Sequence, residues 1–179
     1  EGLRYGTIET TEPYYLTWKE SGLETDPVLD RAIVQLCRKD RFLELVHDFI
    51  VFDSGIKKTC RHNQYFGVKA AEGCMRRREG GIIWHTQGSG KSLTMVWLAK
   101  WIRENIDNSR VLLLTDRTEL DEQLERVFLG VGERTIKRIR PEGGLSGGRV
   151  LMETLNRNEH SLICALVHKF GSSDWNGAD

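Results

Sequence analysis

The chain has 179 residues, with 26 Lys and Arg against 26 Asp and Glu, and is 39% apolar and 29% charged. That length suffices to bury a core, and the composition argues against disorder, a fibrous repeat or a disulfide-rich scaffold. The longest apolar run, Leu162 to Val167, falls far short of the roughly 18 residues a membrane span needs, and no charged n-region followed by an apolar h-region opens the chain. The chain therefore reads as soluble and unexported.

Residues 1 to about 27 mix Gly, Thr, Pro and Tyr with no sustained period, and Asp26-Pro27 reads as a turn leading into a helix. From Val28, the apolar residues Leu29, Ile33, Leu36 and Cys37 recur at helical spacing. A second helical stretch runs from Phe42 through Leu45, Val46 and Phe49. Gly55 breaks the pattern, and Gln64 to Met75, carrying Tyr65, Val68 and Cys74, predicts a third helix that ends near Gly80-Gly81. Beyond that point short apolar runs alternate with amphipathic helices. Gly81-Ile82-Ile83-Trp84 predicts a buried strand, and Lys91 to Asn105 a helix with Leu93, Val96, Trp97, Trp101 and Ile102 on one stripe. Val111 to Leu114 predicts a second strand. Thr118 to Phe128 predicts a helix with Thr118 as N-cap and Asp121 three residues on. A polar stretch with Gly143-Gly144 and Gly147-Gly148 leads to a helical Arg149 to Asn156 and a third strand, Leu162 to Val167. Strand, helix, strand, helix, strand predicts an α/β fold with a parallel sheet and crossover helices.

Net charge zero hides an uneven distribution. Up to Asp30 there are seven acidic residues against Arg4 and Lys19, whereas Lys57 to Arg78 holds seven basic residues against Glu72 alone. A polyanion can bind such a local patch despite the neutral total; equally, Arg76 to Arg78 can simply solvate a helix end. The four cysteines, Cys37, Cys60, Cys74 and Cys164, form no C-x-x-C pair. They read as free thiols in a reducing compartment and not as a zinc or redox site.

Between the first predicted strand and the helix after it lies Trp84-His85-Thr86-Gln87-Gly88-Ser89-Gly90-Lys91-Ser92-Leu93. Gly88 to Ser92 matches the core of a P-loop, in which glycines let backbone N–H groups converge on phosphate oxygens with no Cβ in the way. The helix that starts there adds its positive dipole end. Lys91 would reach the β- and γ-phosphates, and Ser92 would offer its hydroxyl to Mg²⁺. His85 departs from the full pattern, which has glycine at that position. Upstream, Gln64 presents one acceptor and two donors, a match to adenine's N7 and exocyclic amine. Thr115, Asp116 and Arg117 follow the second strand, at the carboxyl edge where open parallel sheets bind ligands; Thr115 and Arg117 could contact DNA phosphates there, or Arg117 could pair locally with Asp116 or Glu119.

The run Ile82 to Met95, followed by Val111 to Leu124 and preceded by Asp48 to Asp53 and Arg61 to Ala71, resembles the motor (R) subunit of type I restriction enzymes. The resemblance covers most of the chain and is strongest from about Asp48 to Leu124. It implies a superfamily 2 helicase-like ATPase with a P-loop, RecA-like parallel sheet at 57–179, preceded at 1–56 by the end of an upstream domain and a helical linker. Carried across, Gln64 with Arg61 would contact adenine, and Thr86, Gly88, Ser89, Gly90, Lys91 and Ser92 would hold ATP and Mg²⁺, Lys91 and Ser92 being catalytic. Thr115, Asp116, Arg117 and Lys169 would face double-stranded DNA. The preceding His168 falls where glutamine is commoner.

The resemblance further implies a bacterial or archaeal cytoplasmic protein that works with modification (methyltransferase) and specificity subunits, away from any membrane. In the family, the Walker B acids and the second lobe follow the third strand, and the nuclease acids precede the linker. Both are expected outside residues 1–179, which would leave this segment alone able to bind ATP but not to turn it over. Asp121-Glu122 imitates a Walker B pair, but the residues before it form no buried strand. Two other readings remain open on the residues alone: a small P-loop kinase in which Asp116 holds Mg²⁺, and a non-catalytic nucleotide-sensing module.

Overall fold

The computed structural model describes residues 2–22, 25, 27–53, 55–130, 136–157 and 159–171. Its contacts divide the chain into two compact units, Glu1–Leu98 and Ala99–Asp179. No helix among the described residues is long and apolar enough to cross a membrane.

The first unit opens with a two-stranded antiparallel pair, β1 (Arg4–Tyr5) and β2 (Leu16–Thr17), in a segment whose sequence shows no period. Two helices follow, α1 (Val28–Cys37) and α2 (Lys39–His47), separated at Arg38, whose extended backbone breaks the helical path. The Asp26 half of the anticipated turn lies outside the described residues. The buried faces of both helices differ from the expectation. α1 buries Ala32, Gln35 and Leu36 while Leu29 and Ile33 stay exposed, and α2 buries Arg41 and Leu45 while Phe42 and Val46 stay exposed.

The reason is the buried guanidinium of Arg41. It pairs with Glu20, donates to the Gln35 carbonyl at 2.5 Å and lies 5.1, 5.4 and 5.5 Å from the rings of Trp18, Tyr65 and Phe66. A charge so paired and stacked on aromatic rings can take a core position that a periodicity count assigns to an apolar residue. Phe49, beyond the end of α2, fills the core against Tyr65 and Trp97, with ring centroids 5.0 and 5.9 Å away.

A hairpin, β3 (Ile50–Asp53) and β4 (Ile56–Thr59), turns through Gly55 at φ +82° and leads into α3 (His62–Arg76). The segment Gly81–Trp84 is not the buried strand expected of it. Ile82 and Trp84 are 90% and 89% exposed, and the segment pairs with no strand among the described residues. Apolar content makes a strand only where a neighbour takes up its backbone N–H and C=O groups. Helix α4 (Lys91–Asn105) follows and buries Val96, Trp97 and Trp101 as its stripe predicts.

In the second unit a parallel sheet has the order β5 (Val111–Thr115), β7 (Leu162–Leu166), β6 (Ile136–Arg138). β7 is the central strand and is buried along its whole length, α6 packing on its Ile163 and Ala165; a parallel strand covered on its faces can be continuously apolar, as Leu-Ile-Cys-Ala-Leu is. β6, Ile-Lys-Arg, has no apolar signature and escapes a pattern search. Helix α5 (Thr118–Gly130) buries Asp121, Leu124, Val127 and Phe128. Its first i→i−4 bond runs from the Asp121 N–H to the Arg117 carbonyl, so the cap falls at Arg117 and not at Thr118.

The carboxylate of Asp121 turns inward to Arg138 instead of back to the helix start. Helix α6 (Gly147–Asn156) starts two residues earlier than expected, with Ser146 Oγ accepting from the Arg149 N–H. It packs Val150 and Leu151 on Ile139, Ile163 and Ala165. Arg110 closes its other end, donating to the carbonyls of Leu155 at 2.8 Å and Thr154 at 3.1 Å.

Candidate functional site

The loop before α4 has the backbone a phosphate cradle requires. Gly88 and Gly90 lie at φ +75° and +83°, a region that L side chains rarely adopt. A Cβ on Gly88 would meet nothing within 4 Å, so that side of the loop is open. A Cβ on Gly90 would overlap the Gln64 amide nitrogen. Ser89 is buried and braces the loop from within, its hydroxyl donating to the Thr86 carbonyl at 2.7 Å. The Gly90 carbonyl accepts the first helical bond of α4, from the Thr94 N–H at 3.2 Å, so the glycine loop passes directly into a helix N-terminus. Lys91 Nζ lies against the loop, donating to the carbonyls of His85 at 2.8 Å and Thr86 at 3.1 Å. Ser92, half-buried, takes the first turn of α4.

The start of α3 is tied to this loop. Gln64 is 2% exposed, and both ends of its amide are engaged. Oε1 accepts from the Arg61 N–H at 2.8 Å, capping α3, and Nε2 donates to the Gly90 carbonyl at 2.8 Å. Arg61 reaches the Gly88 carbonyl through Nη1 at 3.4 Å. Two more contacts gave no motif signal in the sequence. His85 Nε2 lies 3.2 Å from the Asn63 carbonyl, and Gly67 leaves a notch that His85 and Ile83 occupy. Two traces could have pointed there: His85 departs from the loop pattern, and Gly67 sits in a helix interior, where glycine costs about 1 kcal/mol against alanine. A cavity of ≈ 510 Å³ opens beside Gly90, Arg61 and Gln64 and extends to Tyr14 and Lys57.

Burial and pairing shape the charges around it. Burial raises the Tyr65 hydroxyl, which donates to Glu44 at 2.5 Å, to about 12. Burial opposes the charge on Glu20, but hydrogen bonds from Arg41 and Trp18 outweigh it and hold that carboxyl below its ordinary range. Much of the basic segment is consumed locally, Lys58 by Asp53 at 2.5 Å, Lys69 by Glu72 at 2.7 Å and Arg77 by Glu79 at 2.8 Å.

The remaining anticipated residues lie in the second unit. Thr115 is buried at the end of β5, and its hydroxyl has no partner among the described residues. Asp116 and Arg117 are exposed and 4.0 Å apart, the local pairing that spacing allows. Lys169 lies over the first turn of α6, where a Cβ on Gly147 would come within 2.8 Å of its Cδ and Nζ. Asp121 is engaged by Arg138 in the interior, as befits its rejection as half of an acidic box. Among the described residues no three His, Cys, Asp or Glu side chains come together as metal ligands.

Helices joined by a parallel sheet, with a glycine loop opening onto a helix N-terminus, define a RecA-like α/β protein. The chain belongs to the SWI2/SNF2 ATPase family, whose model matches residues 63–178. It is also similar to the "Putative type I restriction enzyme MjaIXP endonuclease subunit" of Methanocaldococcus jannaschii, 31% identical over 155 residues, which are 80% of this chain and 14% of that protein. The type I restriction enzyme HindI endonuclease subunit of Haemophilus influenzae is 28% identical over 146 residues, 70% of this chain and 14% of its own length. The chain thus spans about a seventh of the relatives it matches.

Proposed function

We propose that this chain supplies the ATP-binding loop and part of the DNA-contacting surface of an ATP-dependent translocase and endonuclease subunit of a type I restriction system. The observation that carries the reading is the pair of left-handed glycines, Gly88 and Gly90, running directly into the N-terminus of α4 with Lys91 at its first position. The residues fit a bound triphosphate. The open side of Gly88 leaves room for phosphate oxygens, the N–H groups of the first turn of α4 have no acceptor within the helix, and Lys91 brings a mobile cation.

Mg²⁺ would be held by the Ser92 hydroxyl together with phosphate oxygens, a division usual for this ion, and would neutralise charge during phosphoryl transfer. Lys91 would exchange its two carbonyl partners for phosphate oxygens, so that its ammonium meets an opposite charge in place of a neutral acceptor. Arg61 and Gln64 border the cavity beside the loop, so a base placed there would lie against both, and the Gln64 amide would read it by giving up its bond to the Arg61 N–H or the Gly90 carbonyl. Residues 57–179 act in this reading as part of the first RecA-like lobe. Asp116, Arg117 and Lys169 would meet duplex DNA, with the buried Thr115 shaping the loop that carries the first two. Modification and specificity subunits of the same complex would be its partners, supported by the relatives' names as endonuclease subunits of type I restriction enzymes.

The test is ATP turnover by the full-length protein with and without duplex DNA. DNA-stimulated hydrolysis that Lys91→Ala abolishes is expected. Unchanged hydrolysis in the variant would overturn the role given to Lys91, and phosphoryl transfer to a small acceptor with no DNA dependence would point to a kinase.

A further inference from the structure

The position at which this loop departs from its pattern carries a second set of contacts. In the segment before the loop, alternate side chains have alternate surroundings. Ile83 and His85 both turn towards Gly67 of α3, while Ile82 and Trp84 face outward. A Cβ on Gly67 would stand 3.3 Å from His85 Nε2 and 3.4 Å from both His85 Cε1 and Ile83 Cγ2, tighter than such contacts normally are. The absence of a side chain there is what lets the imidazole lie against the helix. From that notch, Nε2 reaches the Asn63 carbonyl at 3.2 Å. A carbonyl only accepts, so Nε2 carries the proton and the ring is the donor.

The same residue holds the functional cation from its other side, its own carbonyl accepting from Lys91 Nζ at 2.8 Å. A continuous path therefore runs from Asn63 through the His85 ring and backbone to the Lys91 ammonium. Gln64 makes the parallel connection at the far end of the loop, through Gly90. The first turn and a half of α3 grips the loop at both ends.

Resting on the ATP-binding reading above, we propose that His85 is a positioning residue for that loop. Docked in the Gly67 notch, it fixes the loop's first turn to α3, and with it the backbone carbonyl from which Lys91 is presented to phosphate. It does the task that flexibility at a glycine would leave undone, and it explains both the departure from the pattern and the glycine in mid-helix.

The test measures binding of ATPγS with Mg²⁺ to the full-length protein by isothermal titration calorimetry. His85→Ala is expected to weaken binding about three- to tenfold, the range that one lost hydrogen bond corresponds to. His85→Gln, whose Nε2 can still donate to the Asn63 carbonyl, is expected to restore most of the loss. Gly67→Ala crowds the ring and is expected to weaken binding in the parent. In the His85→Ala background it fills the vacated notch and is expected to be neutral or favourable. That dependence of the Gly67→Ala effect on binding upon His85 is something a merely stabilising histidine would not produce.

Parent-like binding by both His85→Ala and Gly67→Ala, with Lys91→Ala still losing it, would overturn the positioning role alone. Binding that is absent from the parent, or unaffected by Lys91→Ala, would overturn the ATP reading and the positioning role together. If His85→Ala does not fold, Gly67→Ala decides: parent-like affinity there refutes the notch.

Discussion

Replacing Arg138 with Met keeps the length of the side chain and removes its charge. Arg138 is nearly buried and lies among three carboxylates: Asp121, 1% exposed, Glu125 at 3.2 Å and Glu122 at 3.3 Å. Glu122 is half exposed and Glu125 a quarter exposed, so water can stabilise both. Asp121 has no such recourse. Its Oδ1 already lacks a hydrogen-bond partner among the described residues, and Oδ2 depends on Arg138. Breaking a buried pair from one side costs about 3–5 kcal/mol, since it strands a charge in the interior.

Set against a typical total of roughly 5–15 kcal/mol, that is a large fraction, and it corresponds to a drop in Tm of roughly 6–20 °C for a chain of this size. Urea unfolding followed by far-UV circular dichroism would read it. Adding Asp121→Val to Arg138→Met removes the stranded carboxylate and should bring stability back to within about 1 kcal/mol of the parent, as apolar replacements of buried pairs commonly do. A loss below about 1 kcal/mol in Arg138→Met, or a double variant no better than the single one, would refute the argument that this pair fastens α5 to β6.

Two further outcomes follow from burial and pairing. Cys60 and Cys164 are buried and their thiols are pushed up by that burial, Cys164 to about 12, whereas Cys37 is exposed. Iodoacetamide at pH 8 should therefore label Cys37 first and reach Cys60 and Cys164 only on unfolding, as peptide mass spectrometry would show; early labelling of Cys60 would contradict its core position. Glu20, held below its ordinary range in the fold, contributes stability that is complete above the unfolded carboxylate value of roughly 4.3 and is lost as pH falls through its lower folded value. Glu20→Gln should consequently show a shallower loss of stability in that acid window than the parent, measured by melts between pH 5 and 2. Identical pH slopes would argue against the Glu20–Arg41 pair.

The residue pattern made the chemistry of the loop legible because that chemistry is local. Two glycines, a lysine and a serine at fixed offsets before an amphipathic stretch need no distant partner to be recognised, and α4 begins at Lys91 as its sequence predicts. The apolar run of β7 was equally plain, since a strand buried on both faces needs no polar side. The surroundings were less so. Arg41 occupies a core position only because Trp18, Tyr65, Phe66 and Glu20 converge on it from other parts of the chain. The hairpin β3–β4 and the strand β6 carry too few apolar residues to declare themselves, and Gly81–Trp84 carries enough to suggest a ladder that it does not make.

By itself, the order of residues determined that this chain carries a phosphate-loop pattern within an α/β framework, because backbone conformation at glycine and the start of a helix are set within a few residues. Only the tertiary structure decided what stands behind the loop. Gln64, read as a nucleobase contact, has both ends of its amide engaged by α3 and Gly90, and His85, read as a departure from a pattern, proves to be docked in the notch at Gly67. Such contacts join residues some twenty positions apart, through hydrogen bonds and empty space that no local periodicity records.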